Sequence, residues 1–512
     1  MPAFAGEMIM RDSVDRDLTR LIRITGMRGK AITSAKASGG EKWKAVQNRL
    51  EAHSELIAMG ESHTRQKAIQ DPVHGPILFE PWELDLISSW EMLRLRFVKQ
   101  LGPAHMVYPG ATHTRFQHCL GTNYLAQKCI GVVNYCDDLD TAKFHPLSRL
   151  LDEYHQKIFR ATALLHDIGH PPASHTIEFA LQSYANLTHV DLGEYLVLNS
   201  SITEILENHD IEPSKIVDIL QRRTNDPKML LIADFLDSPL DLDKTDYLIR
   251  DAHFSGVQLG VFPAERVMLT NRVVQNREGR YLRAFMLKAL HSLEALILSR
   301  NWMFSDLYLH HAVRVAEALL SKATYFRMKE EDFSLNECVG LFTRMTDEDL
   351  YRWLRESEID FVREYAARFR YRRLFKVAVA RPLSAFAPHI EDNLLSLNED
   401  IDALIEAEQQ LSEEPGSVIL DVVKPELGEK TLRNIPLLVG GEKTGLEILD
   451  LEDTEEGKPL AHAIAQQERT IPSVRVYTSP HMIDEIRNRF DRLYPVSNKN
   501  MHRQDEYDMY ET

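Results

Sequence analysis

One stretch limits what this chain can fold into: QKIFRATALLHDIGHPP, residues 156–172. Ile158, Phe159, Ala161, Leu164 and Leu165 recur at near-helical spacing, and Gly169 with the pair Pro171-Pro172 cannot continue a helix. The pattern predicts a buried helix whose last turn carries His166 and Asp167. Adjacent helical side chains point about 100° apart, so both reach one point only near the helix end. A histidine and an aspartate buried there need partners, unless the dipeptide is a chance occurrence, the plainer reading of a short motif without context.

Two other segments supply context. TRFQHCLGTNYLAQ sets His118 among Phe116, Leu120, Tyr124 and Leu125, and predicts a helix with one apolar face. SPLDLDKTDYLIRDAHFSGV predicts another, with Ser238 as N-cap, Pro239 at its first position and Asp241 three residues after the cap. Asp243, Tyr247, Arg250 and Asp251 then share one stripe. A charged stripe is ordinarily a solvated face, but a tyrosine between the charges points equally to a site. His118, His166, Asp167 and Asp243 together form a ligand set for a hard-to-borderline divalent metal with open positions for water and substrate. Such a set suits metal-assisted hydrolysis of a phosphoester or phosphoanhydride.

The segments DPVHGPILFEP, LRFVKQLG, VYPGATHTRFQHCLG, LLHDIGHPPASHT, DLDKTDYLIRD and SDLYLHHAVRVAEALL stand in the order in which they occur in the HD-domain phosphohydrolases. The chain most resembles the branch containing the SAM-and-HD-domain deoxynucleoside triphosphate triphosphohydrolases and their bacterial relatives. The likeness is strong over residues 71–330 and weaker through SVILDVVKP and SVRVYTSPHMIDEI.

The resemblance implies that His118, His166, Asp167 and Asp243 hold one divalent ion. Fe, Mn, Zn, Mg, Co and Ni all suit such mixed ligands, and additional Mg would ride on the substrate phosphates. His175 is the candidate general acid for a 5′ oxygen leaving group. If HTIEFALQ is helical, Glu178 shares its face, fixes its tautomer and raises its basicity. His170 and His189 are further candidates, although any of the three could be a satisfied core histidine. The same carry-over gives Gln100 and Leu101 the sugar 3′-hydroxyl and 2′ position, Tyr247 the sugar face, Asp251 the 3′-hydroxyl, and Arg115, Lys244 and Arg300 the phosphates. Tyr308 would close the sugar pocket. Where some relatives carry a lysine next, this chain has His310-His311 and then Arg314, a triphosphate grip that is weaker or pH dependent because histidine is only partly charged at neutral pH.

The implied activity is hydrolysis of deoxynucleoside triphosphates (dNTPs) to deoxynucleoside and triphosphate. The implied assembly is a homo-oligomer (dimer, tetramer or hexamer) with a nucleotide activator at its subunit interfaces, to which no residue here can be mapped. Two other readings stay open: an HD phosphodiesterase or nucleotidase acting on other nucleotides or nucleic-acid ends, and a nucleotide sensor or nucleic-acid scaffold with a vestigial site.

A formal charge of −17, from 60 basic and 77 acidic residues, argues against a protein that coats nucleic acid or an anionic membrane, so phosphate binding has to be local. The 512 residues, 44% hydrophobic, suffice for two or three domains. The expected fold is mainly α, with an HD-type helical catalytic core over residues 66–385 and few strands between 142 and 385. A small α+β domain is expected over 386–495, where SVILDVV, NIPLLVGG and SVRVYTS predict one small sheet under the helix HMIDEIRNRFDRLY. Residues 1–65 read as a basic arm, touching nucleotide or merely lying on the surface, and an amphipathic helix; residues 496–512 read as a polar tail. No apolar stretch approaches the roughly 18 residues of a membrane span, and the N-terminus lacks signal-peptide character. Cys119, Cys129, Cys136 and Cys338 show no CxxC pairing, so the expected setting is a reducing cytosol.

Overall fold

The computed structural model describes residues 63–276, 279–398, 400–423, 434–441, 445–455 and 457–497. The expected basic arm, most of the amphipathic helix and the expected tail from residue 498 lie outside these. The protein is mainly helical, with small sheets, as its periodicity predicts. Among the described residues no helix is long and apolar enough to cross a membrane.

The centre is helix α1 (Arg115–Val132), started by a capping box between Thr114 and Gln117. The single apolar face expected for it is not what forms. α1 is enclosed by its neighbours, and Arg115, His118, Thr122 and Asn123 are buried along with its apolar residues. A helix at the middle of a helical core can bury polar groups because they bond one another; Asn123 Nδ2, for example, donates to Glu83 Oε1 at 3.0 Å and to the Arg160 carbonyl at 2.8 Å.

α2 (Glu153–Leu165) packs on α1, is N-capped by Asp152 and ends with His166 as C-cap, so the HD pair sits where the sequence placed it. Gly169 ends the helical pattern and also admits a close neighbour. A Cβ there would lie 2.1 Å from the His189 carbonyl oxygen and from Gly193 N, at the start of α4 (His189–Asn199). Between them lies α3 (Glu178–Ala185), entered through a 3-10 turn at Ser174–Ile177. α5 (Leu242–Ser255) completes the contact with α1. Its N-cap is Asp241 and not Ser238: Asp241 Oδ1 accepts from Lys244 N at 2.6 Å, while Oδ2 accepts from Ser238 N at 3.0 Å. The carboxylate accepts from both the helix start and the incoming loop, and so displaces the predicted serine cap.

A hairpin of β1 (Lys67–Asp71) and β2 (Gly75–Phe79) flanks the core. Strands are more numerous between 142 and 385 than expected. β3 (Asn134–Cys136), β4 (Phe144–Pro146), β5 (Asn271–Gln275) and β6 (Tyr281–Met286) join β9 (Pro436–Gly441) and β10 (Gly445–Asp450) in a six-stranded sheet, order β10-β9-β6-β5-β3-β4. The three predicted C-terminal strands are therefore divided. NIPLLVGG, as β9, pairs in parallel with β6, whereas β8 (Val418–Val422) and β11 (Val474–Thr478) form a three-stranded sheet with β7 (Lys376–Arg381). The predicted helix, α9 (Ile483–Leu493), packs on that smaller sheet.

Helix α7 (His311–Glu331) follows α6 (Leu290–Met303) and connects the helical core to the smaller sheet. Arg314 on α7 places Nη2 2.6 Å and Nε 3.1 Å from the two oxygens of Asp421 on β8, and Nη1 2.7 Å from Glu317. Asp421 is buried while Arg314 and Glu317 are partly exposed, and removing the arginine leaves the buried carboxylate uncompensated. Arg314→Met, which keeps the stem, is expected to destabilise the fold by roughly 3–5 kcal/mol in equilibrium denaturation; a change under about 1 kcal/mol, the worth of an exposed pair, would show that solvent screens it.

Candidate functional site

His118 from α1, His166 and Asp167 from the end of α2, and Asp243 from the first turn of α5 converge. His118 Nε2 lies 3.2 Å from His166 Nε2 and 2.8 Å from Asp243 Oδ1; His166 Nε2 lies 3.6 Å from the same oxygen. Asp167 flanks the pair, its oxygens 3.6 Å from His118 Nε2 and 3.5 Å from His166 Nε2. The other nitrogen of each ring is committed: His118 Nδ1 donates to Asp246 Oδ2 at 2.8 Å, and His166 Nδ1 to the Ala163 carbonyl at 2.9 Å. Both Nε2 lone pairs therefore face one another, an arrangement that needs a proton or a cation between them. A separation of 3.2 Å is also what two nitrogens roughly 2.1 Å from a shared ion adopt near a right angle. The residues fit a divalent metal.

Charge is arranged to match. Burial opposes a positive His118, but hydrogen bonds with Asp243 and Asp246 outweigh it and lift its pKa to about 10. Burial would raise the Asp243 carboxyl, yet hydrogen bonds from His118 and His166 hold it well below the usual carboxylate range. Asp167 is likewise raised by burial and pulled far lower by the Arg115 guanidinium, 2.6 Å away.

Behind His118 lies a network that the sequence reading missed. Asp246, fully buried, also accepts from His74 Nε2 at 2.6 Å and from Arg250 at 2.8 and 3.0 Å, while Arg250 reaches Asp71 at 2.8 Å. Arg250 thus belongs to this inner network and not to a substrate-facing stripe. Gly121 makes room for it: a Cβ there would lie 2.0 Å from Asp246 Oδ1 and 2.4 Å from Arg250 Nη2.

A second cluster adjoins the first through Asp167. Glu178 holds two imidazoles, with Oε2 2.8 Å from His175 Nδ1 and Oε1 2.5 Å from His189 Nδ1. Burial would raise the Glu178 carboxyl, but these two contacts hold it far below its ordinary range. His170 Nε2 is 3.2 Å from Asp167 Oδ1, and burial together with the Arg115 charge pushes this imidazole well below its usual pKa, so it stays neutral. Three histidines in reach of one another suggest a metal site, but His170 and His189 stack face to face, 4.2 Å apart at 9°. Lone pairs lying in two parallel ring planes do not meet at one ion. Glu178 engages His175 Nδ1, and the His175 side chain is 63% exposed.

Residues 115–251 match the HD domain family model, and residues 270–505 match the model of the HD associated region. The chain is an HD-domain protein. It is 27% identical over 434 residues to the uncharacterized protein MJ1154 of Methanocaldococcus jannaschii, covering 84% of this chain and 83% of that one. It is 31% identical to the uncharacterized protein YwfO of Bacillus subtilis, over 51% of this chain and 55% of YwfO. With the deoxynucleoside triphosphate triphosphohydrolase SAMHD1 of Gallus gallus it shares 25% identity, over 64% of this chain and 58% of that enzyme. A crystal structure of a hypothetical protein from Aquifex aeolicus superposes with a TM-score of 0.61 at 26% identity, covering 83% of this chain and all of that one.

Around the HD centre the expected substrate residues take varied positions. Tyr247 stands beside the metal ligands, its ring 6.5 Å from that of His118 and 6.4 Å from that of Tyr308. Tyr308 donates to Asp251 Oδ2 at 2.6 Å, and the other Asp251 oxygen is 2.7 Å from His113 Nε2. His113, also missed in the sequence, accepts from Gln100 N through its carbonyl at 3.0 Å, and so joins Gln100 to Asp251. Gln100 Oε1 is buried without a partner among the described residues. Leu101 packs beside Tyr108, and Arg300 lies near enough to Tyr247 and Tyr308 to act on both electrostatically.

Three expected phosphate contacts turn inward instead. Arg115 is 4% exposed and directs its guanidinium at Asp167, Ser174 Oγ and the Gln100 carbonyl, so it braces the site. Lys244 Nζ sits 2.5 Å from Asp241 Oδ2. His310 caps α7, its Nδ1 accepting from Ala312 N at 3.2 Å. His310 and His311 are both shifted toward the neutral form, first by burial and then by neighbouring charge that includes Arg475.

Two outcomes follow for the metal centre. A cation must displace the proton that His118 holds with a pKa of about 10, so affinity is expected to rise about tenfold per pH unit from about pH 7 to 9 and level off above the His118 value. Calorimetric titration in buffers of different ionisation enthalpy should register at least one proton released per ion, and pH-independent binding would contradict shared occupancy. Asp246→Asn, which leaves all four candidate ligands in place but weakens the hydrogen bond that orients His118, should lower metal affinity roughly 10- to 100-fold as measured by competition with a chelator.

Proposed function

We propose that this HD protein is a metal-dependent dNTP triphosphohydrolase. The observation that carries the reading is a chain of hydrogen-bonding groups next to the candidate metal ligands: His113 joins Gln100, with its Oε1 unpartnered among the described residues, to Asp251 and Tyr308, while the Tyr247 ring is near both Tyr308 and His118. Buried polar atoms are ordinarily satisfied, so one left open beside a centre of this kind fits a hydroxyl of the ligand. The SAMHD1 relatives, named deoxynucleoside triphosphate triphosphohydrolases, support this choice of substrate.

The divalent ion, held by His118, His166, Asp167 and Asp243, would supply Lewis-acid charge to the phosphoryl oxygens. Arg115 keeps Asp167 ionised for that task. Tyr247 supports the sugar, Gln100 and Asp251 read its 3′-hydroxyl, and Leu101 crowds the 2′ position. Arg300, and Lys244 despite its pairing with Asp241, stand near enough to Tyr247 to act on it electrostatically. Water attacks the α-phosphorus in line with the bond to the 5′ oxygen. As the new P–O bond forms, the P–O5′ bond breaks, and His175 gives the proton on Nε2 to the departing oxygen. Glu178 orients His175 through Nδ1, His189 shares that carboxylate, and neutral His170 stacks on His189. The products are deoxynucleoside and triphosphate. Four cysteines, all buried free thiols, suit the reducing cytosol in which dNTPs are found.

The test is product analysis with each dNTP on metal-loaded protein: triphosphate is expected, and pyrophosphate or orthophosphate would overturn the substrate reading while leaving the metal centre standing. His175→Ala should reduce kcat roughly 100- to 10,000-fold with metal content unchanged. Tyr247→Ala and Gln100→Ala should also lose activity; if both keep it, a phosphodiesterase or nucleotidase acting on other nucleotides is favoured. The same reading carries a homo-oligomer with nucleotide activator at its interfaces, which gel filtration with and without dNTP examines.

A further inference from the structure

Both loops that flank the proposed chemistry are held by a residue outside the HD domain. The segment leading to His175 passes through Ala173 (φ 58°) and Ser174 (φ 56°), consecutive residues in the left-handed region without glycine. L-residues take up that conformation only where the surroundings impose it. What imposes it here is a carboxylate from α8 (Asp347–Arg355), a helix of the HD-associated region. Asp347, 2% exposed, accepts from Ala173 N at 2.7 Å through Oδ1. Its Oδ2 accepts from Lys99 N at 3.1 Å and from Lys99 Nζ at 3.4 Å. Lys99 immediately precedes Gln100, and the Lys99 carbonyl in turn accepts from Ser174 Oγ at 2.7 Å. Arg94 grips the same segment from the other polarity, donating to the Ile168 and His170 carbonyls at 3.0 and 2.8 Å and to the Met345 carbonyl, two residues before Asp347, at 3.2 Å.

We infer that Asp347 is a positioning residue: one buried carboxylate sets the left-handed turn before His175 and the backbone before Gln100 together, so that proton donor and sugar reader stand in fixed relation. The inference rests on the roles given above to His175 and Gln100. A neutral side chain of the same shape can accept from one of the two amides but must turn an N–H toward the other, so Asp347→Asn keeps half of the arrangement and Asp347→Ala none.

The experiment uses the full, metal-loaded chain and two readouts. In hydrogen–deuterium exchange, Asp347→Ala should speed exchange in residues 97–102 and 168–176 together while α1 and the metal content stay as in the wild type. In turnover, loss of an aligned proton donor matters for a poor leaving group and little for a good one. Asp347→Ala should therefore lose roughly 10- to 100-fold on a dNTP but under about threefold on bis(p-nitrophenyl) phosphate, with Asp347→Asn in between. Exchange that changes in one segment only or in neither, or equal losses on the two esters, would overturn the inference. If the wild type cleaves the aryl ester and no dNTP, the substrate reading fails and the exchange result decides on Asp347 alone.

Discussion

The hydrogen bond from His118 Nδ1 to Asp246 is the contact on which the centre depends. It fixes which nitrogen of His118 carries its proton toward the protein and which lone pair looks outward. Asp246 can stay ionised in a fully buried place because His118, His74 and Arg250 surround it, and their contacts outweigh the cost of burial. Arg250 also holds Asp71 at the end of β1, so the same network fastens the hairpin to the α1–α5 pair. Removing Asp246 or Arg250 would leave its partner buried without its closest opposite charge, a loss of several kcal/mol. The arrangement of the metal ligands is thus a property of the core and not of a surface cleft.

An acidic chain proposed to take a triphosphate would have to solve an electrostatic problem locally. Carboxylates near the centre are neutralised by internal cations: Asp167 by Arg115, Asp241 by Lys244, Asp246 by Arg250. Farther out, Asp421 is matched by Arg314. The cations that resemblance would send to the substrate are therefore partly engaged already. His310 and His311, shifted toward neutrality, add little positive charge near neutral pH. On the proposed substrate, grip on the phosphates would then fall largely to an ion held by the tetrad, with Arg300 near Tyr247 and Tyr308 adding charge.

Much of this was legible in the sequence because it is local. Pro171-Pro172 and Gly169 end a helix, and α2 does end at Leu165 with His166 capping it. His175 and Glu178, three residues apart, meet as their spacing predicts. The segment DLDKTD shows where legibility stops. Its three aspartates look alike, yet Asp241 caps a helix, Asp243 faces the two histidines and Asp246 faces the far side of His118. An i, i+3 spacing from Asp243 could have drawn attention to Asp246, but which carboxylate faces which nitrogen is decided by α1, more than a hundred residues away in sequence. Strand partners fail for the same reason: NIPLLVGG reads as a strand, while its pairing with β6 depends on a distant chain segment.

Motif and activity are also separable in this architecture. The four candidate metal ligands and His175 all lie within the HD domain match, whereas the loop leading to His175 is held by Arg94 on one side of that match, at the Ile168 and His170 carbonyls, and by Asp347 on the other, at Ala173 N. A loop held in a sparsely populated conformation relaxes when its outer partners go, because nothing in its own sequence favours that shape. A chain with the complete HD tetrad and no such outer partners would still bind a metal, since the ligands are fixed through Asp246 and Ala163. It would lack an aligned proton donor, and poor leaving groups would be lost first. On the proposed function, the HD-associated region would matter to the reaction by shaping the loop, while the four candidate metal ligands lie in the HD domain match.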